Sequence, residues 1–225
     1  MQSMEEGRLV RPPKEIVEDF RDIPTSTISD VLDEMGVNGV INGLHVLVPG
    51  VRIAGAAFTI KAVAGERGSY SGSEFPVGEV IGLMAANDVL VCELDGQRVS
   101  TMGGLGSLAM KLRGVTGMVI DGGVRDAEQI RRIGFPAYVR HVCATSGKTR
   151  VKWLAMNVPV EIDGVSVCPG DIVVADDTSV AVVPADKMSD ILEQCRRREE
   201  FEVQFEEELR KGGAFLEISR KLGIM

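Results

Sequence analysis

Between Val77 and Arg140 the apolar residues switch repeatedly between two spacings. A helical pattern from Val77 gives way, through the turn Ala86-Asn87-Asp88, to the continuous apolar run Val89 to Cys92. A second cycle passes from a helix at Leu105 to Leu112, stopped by Gly114, into a strand from Val115 to Ile120. In a third, Asp121-Gly122-Gly123 precedes a helix ending near Ile133, and Gly134-Phe135-Pro136 leads into a strand from Ala137 to Arg140. Short, fully apolar strands separated by helices predict βαβ units and a largely parallel central sheet.

The flanking segments follow other patterns. VRIAGAAFTIKAV, residues 51–63, is rich in small and β-branched residues and predicts a buried strand or a bulged pair of strands. Ahead of it come a polar arm with Pro12-Pro13, a short helical pattern through Ile16, Val17 and Phe20, and a helix capped by Thr25 or Ser26. That helix would present Ile28, Val31, Leu32 and Met35 on one face and stop at Gly36. The stretch VPVEIDGVSVCPGDIVVADDTSVAVVP alternates strand and turn, so it predicts antiparallel hairpins. Beyond Asp186 a long charged helix carries Ile191, Cys195, Phe201, Phe205 and Leu209 on its apolar positions. The expected organisation is an arm with a short helix over residues 1–24, one α/β domain over 25–185 and a helical extension over 186–225.

Composition narrows the class. With 225 residues, 44% hydrophobic, and 26 glycines scattered without period, the chain is globular and long enough for a substantial core. A net charge of -8 disfavours nucleic acid, and the basic cluster Arg196-Arg197-Arg198 runs straight into Glu199-Glu200. Cys92, Cys143, Cys168 and Cys195 lie far apart, without metal-ligand spacing, and read as buried free thiols. No long apolar run and no basic, apolar leader is present, so a cytoplasmic protein without membrane contact is expected.

Candidate chemistry gathers where buried strands hand over to helices, since ligands of parallel sheets collect at the carboxyl ends of strands. Asp121-Gly122-Gly123-Val124-Arg125-Asp126 occupies one such handover; Asp126 with Gln129 is also a plausible capping pair. Gly103-Gly104-Leu105-Gly106-Ser107 occupies another. Its glycines allow close backbone approach, and the amides of a first helical turn suit a carboxylate or phosphate. The turn matches neither the P-loop nor the dinucleotide fingerprint. His45 and His141 are isolated, while Lys61, inside an apolar strand, is the one candidate for Schiff-base chemistry.

GMVIDGGVRDAEQIRRIGFPAYVR, preceded by the glycine turn and followed by VCPGDIVVADDTSVAVVP, resembles the RraA-like superfamily from about Thr25 to Pro184. That group contains metal-dependent pyruvate aldolases acting on 4-hydroxy-4-methyl-2-oxoglutarate or 4-carboxy-4-hydroxy-2-oxoadipate, oxaloacetate decarboxylases, and regulators of ribonuclease activity. The resemblance implies a layered α/β fold with a homotrimer or hexamer as its assembly. It also implies a small 2-oxo acid as substrate. Arg125 would bind the carboxylate and keto oxygen of a pyruvate moiety, and Asp126 would ligate Mg²⁺ or Mn²⁺. The Gly103–Gly106 turn, through the amides of Gly104, Leu105 and Gly106, would hold the carboxylate. A glutamate from the C-terminal region of a neighbouring subunit, here Glu199, would approach the metal. Two departures stand out: the aldolases carry an acid 21 positions before the arginine, where this chain has Gly104, and the loop ahead of the second helix reads Ser73-Glu74-Phe75-Pro76, with Glu74 its candidate carboxylate. Against the aldolase stand a regulator that acts by docking and a lyase using Lys61.

Overall fold

The computed structural model describes residues 4–222. Chain order begins with β1 (Glu5–Glu6), α1 (Lys14–Arg21), α2 (Thr25–Glu34), β2 (Val40–Ile41), β3 (His45–Val46) and β4 (Ile53–Ala64). Three βα cycles follow: α3 (Val77–Leu83) into β5 (Asp88–Met102), α4 (Gly104–Leu112) into β6 (Gly117–Val124), and α5 (Ala127–Ile133) into β7 (Ala137–Val142). The remainder is β8 (Val151–Met156), β9 (Val160–Ile162), β10 (Val165–Val167), β11 (Ile172–Ala175), β12 (Val180–Val183), α6 (Met188–Arg210) and α7 (Phe215–Leu222).

The main sheet runs β2-β12-β11-β4-β5-β6-β7-β3. Its centre, β4 to β7, is parallel, as the alternation of spacings requires; the flanking β11, β12, β2 and β3 are antiparallel. The two faces of β4 to β7 differ. Phe58, Ile60, Leu90, Met118, Ile120 and Val139 pack beneath α3, α4 and α5 through Val80, Ile81, Met110 and Ile130. The opposite face, with Ala57, Val89, Val91 and Val119, is covered by the separate β9–β10 hairpin through Val160, Ile162, Val165 and Val167. A third cluster joins α1, α2 and α6 to β11 and β12 through Phe20, Ile28, Leu32, Ile172, Val174, Ile191 and Cys195. Among the described residues no helix is long and apolar enough to cross a membrane.

Several local expectations change on folding. Residues 53–64 form one strand bulged at Lys61/Ala62, pairing with β5 on one side and, over its second half, with β8 on the other. β6 extends through Asp121, Gly122 and Gly123, which sit inside the strand rather than in a turn after it. Packing explains this: a Cβ on Gly122 would lie 2.8 Å from Leu94 Cδ2, and one on Gly123 2.5 Å from Cys143 Sγ, so both glycines let neighbouring chain press against the sheet. Neither Thr25 nor Ser26 caps α2, because Asp176 does so from across the fold: its carboxylate accepts the Thr25 amide at 2.9 Å and the Thr25 hydroxyl at 2.7 Å. Gly36, at φ +65, ends that helix region as expected. The C-terminal helix breaks after Arg210, where Gly212 takes φ +89 and α7 turns back. Cys92 and Cys195 are buried, but Cys143 is only half-buried and Cys168 is exposed, since it lies in the loop joining β10 to β11.

Candidate functional site

β5 and β6 are adjacent parallel strands with Met102 paired to Val124, so the segments that follow them emerge side by side. Gly103 and Gly104 open α4 after β5; Arg125 and Asp126 open α5 after β6. The glycine turn and the Arg-Asp pair therefore share one ledge, and their contacts are direct. Asp126 Oδ2 accepts the Gly104 amide at 3.1 Å and lies 3.5 Å from Arg125 Nε. A Cβ on Gly103 would stand 2.7 Å from Asp126 Oδ2 and 3.0 Å from Arg125 Cγ and Nε, so glycine is what allows the close approach.

Asp126 adopts φ +58, a left-handed conformation that costs a non-glycine residue about 1–2 kcal/mol. Such strain persists where surrounding structure imposes it, and it gathers at functional sites. It also explains why the expected capping pair does not form: Asp126 is turned toward the glycine turn and makes no side-chain cap to α5. The Leu105 and Gly106 amides have no acceptor among the described residues and point from the first turn of α4, whereas the Gly104 amide is already taken by Asp126. The side chains of Arg125 and Asp126 are 50% and 44% exposed, so the pair is reachable from solvent.

Other sequence candidates fall elsewhere. Lys61 is exposed and pairs with Glu93 at 3.0 Å, leaving no desolvated amine for a Schiff base. Glu74 folds back onto the Ser71 amide and pairs with Lys152 at 2.9 Å, which holds its carboxyl below the usual glutamate range. Asp121 is buried and pairs with Arg140 at 2.7 Å, while His141 Nε2 bonds the Gly96 carbonyl. Glu199 accepts the Thr27 hydroxyl at 2.6 Å in the layer between α2 and α6. Burial pushes the Cys92 and Cys195 thiols up to about 12, so neither is a nucleophile in the folded chain.

For a divalent cation the fitting atom is Asp126 Oδ1, which accepts no hydrogen bond among the described residues. No group of three or more acidic, histidine or cysteine side chains with metal-site geometry occurs among those residues. A half-exposed site with one carboxylate oxygen suits a hard cation that keeps most of its waters, as Mg²⁺ does; it does not suit a dehydrated or thiophilic metal.

Comparison with known proteins assigns the class. The family model described as RraA-like, Aldolase/RraA, matches residues 25–182, and the chain belongs to that family. Its similarity to protein DlpA of Legionella pneumophila is 33% identity over 171 residues, 75% of this chain but only 27% of that much longer protein. A Halalkalibacterium halodurans protein whose name carries a provisional assignment as a 4-hydroxy-4-methyl-2-oxoglutarate aldolase is 29% identical over 187 residues, 82% of this chain and 84% of its own. Among solved structures, Streptomyces coelicolor RraAS2, described as an unusual member of the RNase ES inhibitor RraA family, superposes with a TM-score of 0.76 at 26% identity. That match covers 87% of this chain and 97% of the other.

Proposed function

We propose that this chain is a divalent-cation-dependent pyruvate aldolase that cleaves a 4-hydroxy-2-oxo dicarboxylic acid, with oxaloacetate decarboxylation as the related reaction. The observation that carries this reading is the contact of Arg125 and the strained Asp126 with the glycine turn at the ends of adjacent parallel strands. In retro-aldol cleavage the C3–C4 bond breaks, the C4 hydroxyl gives its proton to water at the half-exposed site to leave a carbonyl, and the electron pair passes to the enolate of pyruvate, whose C3 then takes a proton back from water. Arg125 offers guanidinium donors to the carboxylate and to the keto oxygen on which that charge develops. The unpartnered amides of Leu105 and Gly106 offer a second cradle for the carboxylate, reinforced by the positive end of α4. Asp126 would hold Mg²⁺ or Mn²⁺, which when bound supplies Lewis-acid polarisation of the keto group. Assembly as a trimer or hexamer is part of the proposal; in it Glu199 of a neighbouring copy would approach with the carboxylate oxygen not engaged by its own Thr27.

A second reading, docking to a protein partner, is favoured by one feature: Leu105 beside the site and Leu112 at the other end of α4 are 77% and 79% exposed. Activity separates the two. Incubation with 4-hydroxy-4-methyl-2-oxoglutarate or oxaloacetate should release pyruvate only with Mg²⁺ or Mn²⁺, and EDTA should stop it. Arg125→Ala should lower kcat/KM by roughly 10²–10³-fold, the size of a lost transition-state donor, with melting temperature unchanged because the side chain is half-exposed. Pyruvate release that survives EDTA, or is indifferent to Arg125→Ala, would sink the cation-dependent mechanism at this site, and no release with either substrate would leave docking as the reading.

A further inference from the structure

Three side chains, not two, close on the glycine turn. Gln129 is the third residue of α5, and side chains of a helix lean toward its N-terminus, here toward Asp126. A Cβ built on Gly104 would lie 2.2 Å from Gln129 Oε1, 2.3 Å from its Cδ and 2.9 Å from its Cγ. The carboxamide thus occupies the space in which any side chain on residue 104 would begin. On the same residue, the Gly104 amide is bonded to Asp126 Oδ2. Carboxylate and carboxamide accordingly flank a single glycine, one at its amide and the other where its Cβ would stand. Gln129 is half-buried, yet its carboxamide makes no hydrogen bond to protein among the described residues, unlike Asp126 and Ser107 around it. Water reaches this half-buried carboxamide, so its donor and acceptor are free to exchange solvent for what enters the site.

We propose that Gln129 belongs to the site: its Oε1 faces the position beside Asp126 and orders the water shell of the cation there as a neutral oxygen. This rests on Asp126 being the cation's protein ligand. It makes Gln129 a positioning residue that acts through bound water, and it gives the site one carboxylate where a second oxygen donor is uncharged. Residues 104 and 129 are then a coupled pair, since a side chain at the first position expels that of the second.

Mn²⁺ binding, followed by electron paramagnetic resonance with thermal melting as a check on folding, tests this without any turnover. Gln129→Glu is isosteric and adds a charge at the proposed oxygen; it should bind Mn²⁺ about tenfold tighter at pH 7. Gln129→Leu keeps the space filled without an oxygen and should bind severalfold more weakly, as should Gly104→Ala, which displaces the carboxamide. Wild-type Mn²⁺ affinity in both Gln129 variants would reduce Gln129 to a filler of the space over Gly104 and overturn the proposal. Asp126→Asn distinguishes the premise: if it abolishes binding while the Gln129 variants do nothing, only the present inference fails. Unchanged binding in Asp126→Asn removes the metal reading itself, and the role of Gln129 with it.

Discussion

A methyl group decides the local chemistry at Gly103. Its φ of -141 is ordinary extended backbone, so alanine brings no conformational penalty there and any effect comes from contact alone. The contact is with Asp126 Oδ2 and Arg125, both half-exposed and able to yield. Gly103→Ala should therefore cost only about 1 kcal/mol of stability. If the chain is the aldolase proposed above, it should lower kcat/KM for pyruvate release by about 10²-fold, as expected for a displacement near 1 Å at the proposed site. Denaturant melts beside steady-state kinetics check the split; equal wild-type kinetics would mean the pair does not need its present geometry. The presence of Arg125 and Asp126 was legible from the IDGGVRD run and its strand-end position. That Asp126 would adopt a left-handed conformation and grip the Gly104 amide was not, because the cause is a second loop over 20 residues away in sequence. Gln129 read as a capping partner for the same reason: spacing within a helix shows which neighbours a side chain can reach along that helix, not which turn lies above it.

At the scale of elements, α2 shows how a distant group replaces a local signal. Asp176 accepts the Thr25 amide and hydroxyl as well as the Thr178 and Ser179 amides. Burial alone would raise its pKa, but those hydrogen bonds to the charged form prevail and the net shift is downward. A carboxylate whose folded pKa is depressed contributes stability that is fully present above about pH 4, its unfolded value, and is lost as pH falls through the folded value. Asp176→Ala should lower unfolding free energy by about 2 kcal/mol at pH 7, the scale of hydrogen bonds to a charged group. The deficit relative to wild type should shrink on acidification toward pH 2. Urea titrations at several pH values read both effects, and a pH-independent deficit would place the loss in packing rather than in the charge. The basic cluster of α6 is likewise an element-scale feature. Arg196 pairs with Asp19 at 2.8 Å on α1, and Arg198 with Asp30 and Glu34 on α2, so charges that look like a run on paper fasten one helix to two others.

For the whole molecule, the amino-terminal arm is part of the fold rather than an appendage. β1 pairs with β8, and Arg11 reaches the start of β5 to bind both oxygens of Asp88 at 2.7 and 2.8 Å. Asp88 is fully buried while Arg11 is partly exposed, so removing the guanidinium strands a carboxylate in the interior. Its remaining partner is the Ala85 amide at 2.7 Å. Arg11→Ala should cost about 3 kcal/mol, whereas Lys14→Ala, a surface pair with Glu18, should cost less than about 1. Chemical denaturation of the two variants side by side tests the contrast; equal, small losses would show that Asp88 is held by the Ala85 turn alone.

What the linear chain determined was the kind of architecture: alternating apolar periods dictate parallel βα units, and turn residues at Asp163-Gly164 and Asp176-Asp177 dictate returns of the chain. These are local statements, carried by side-chain spacing and backbone preference. Only tertiary structure decided that Asp121 is buried against Arg140, that Asp176 caps α2, and that Gln129 occupies the space in which a side chain at 104 would begin. Each depends on segments brought together by sheet register and helix packing, and burial, not residue type, then determines which polar group is spent on structure and which is left open for chemistry.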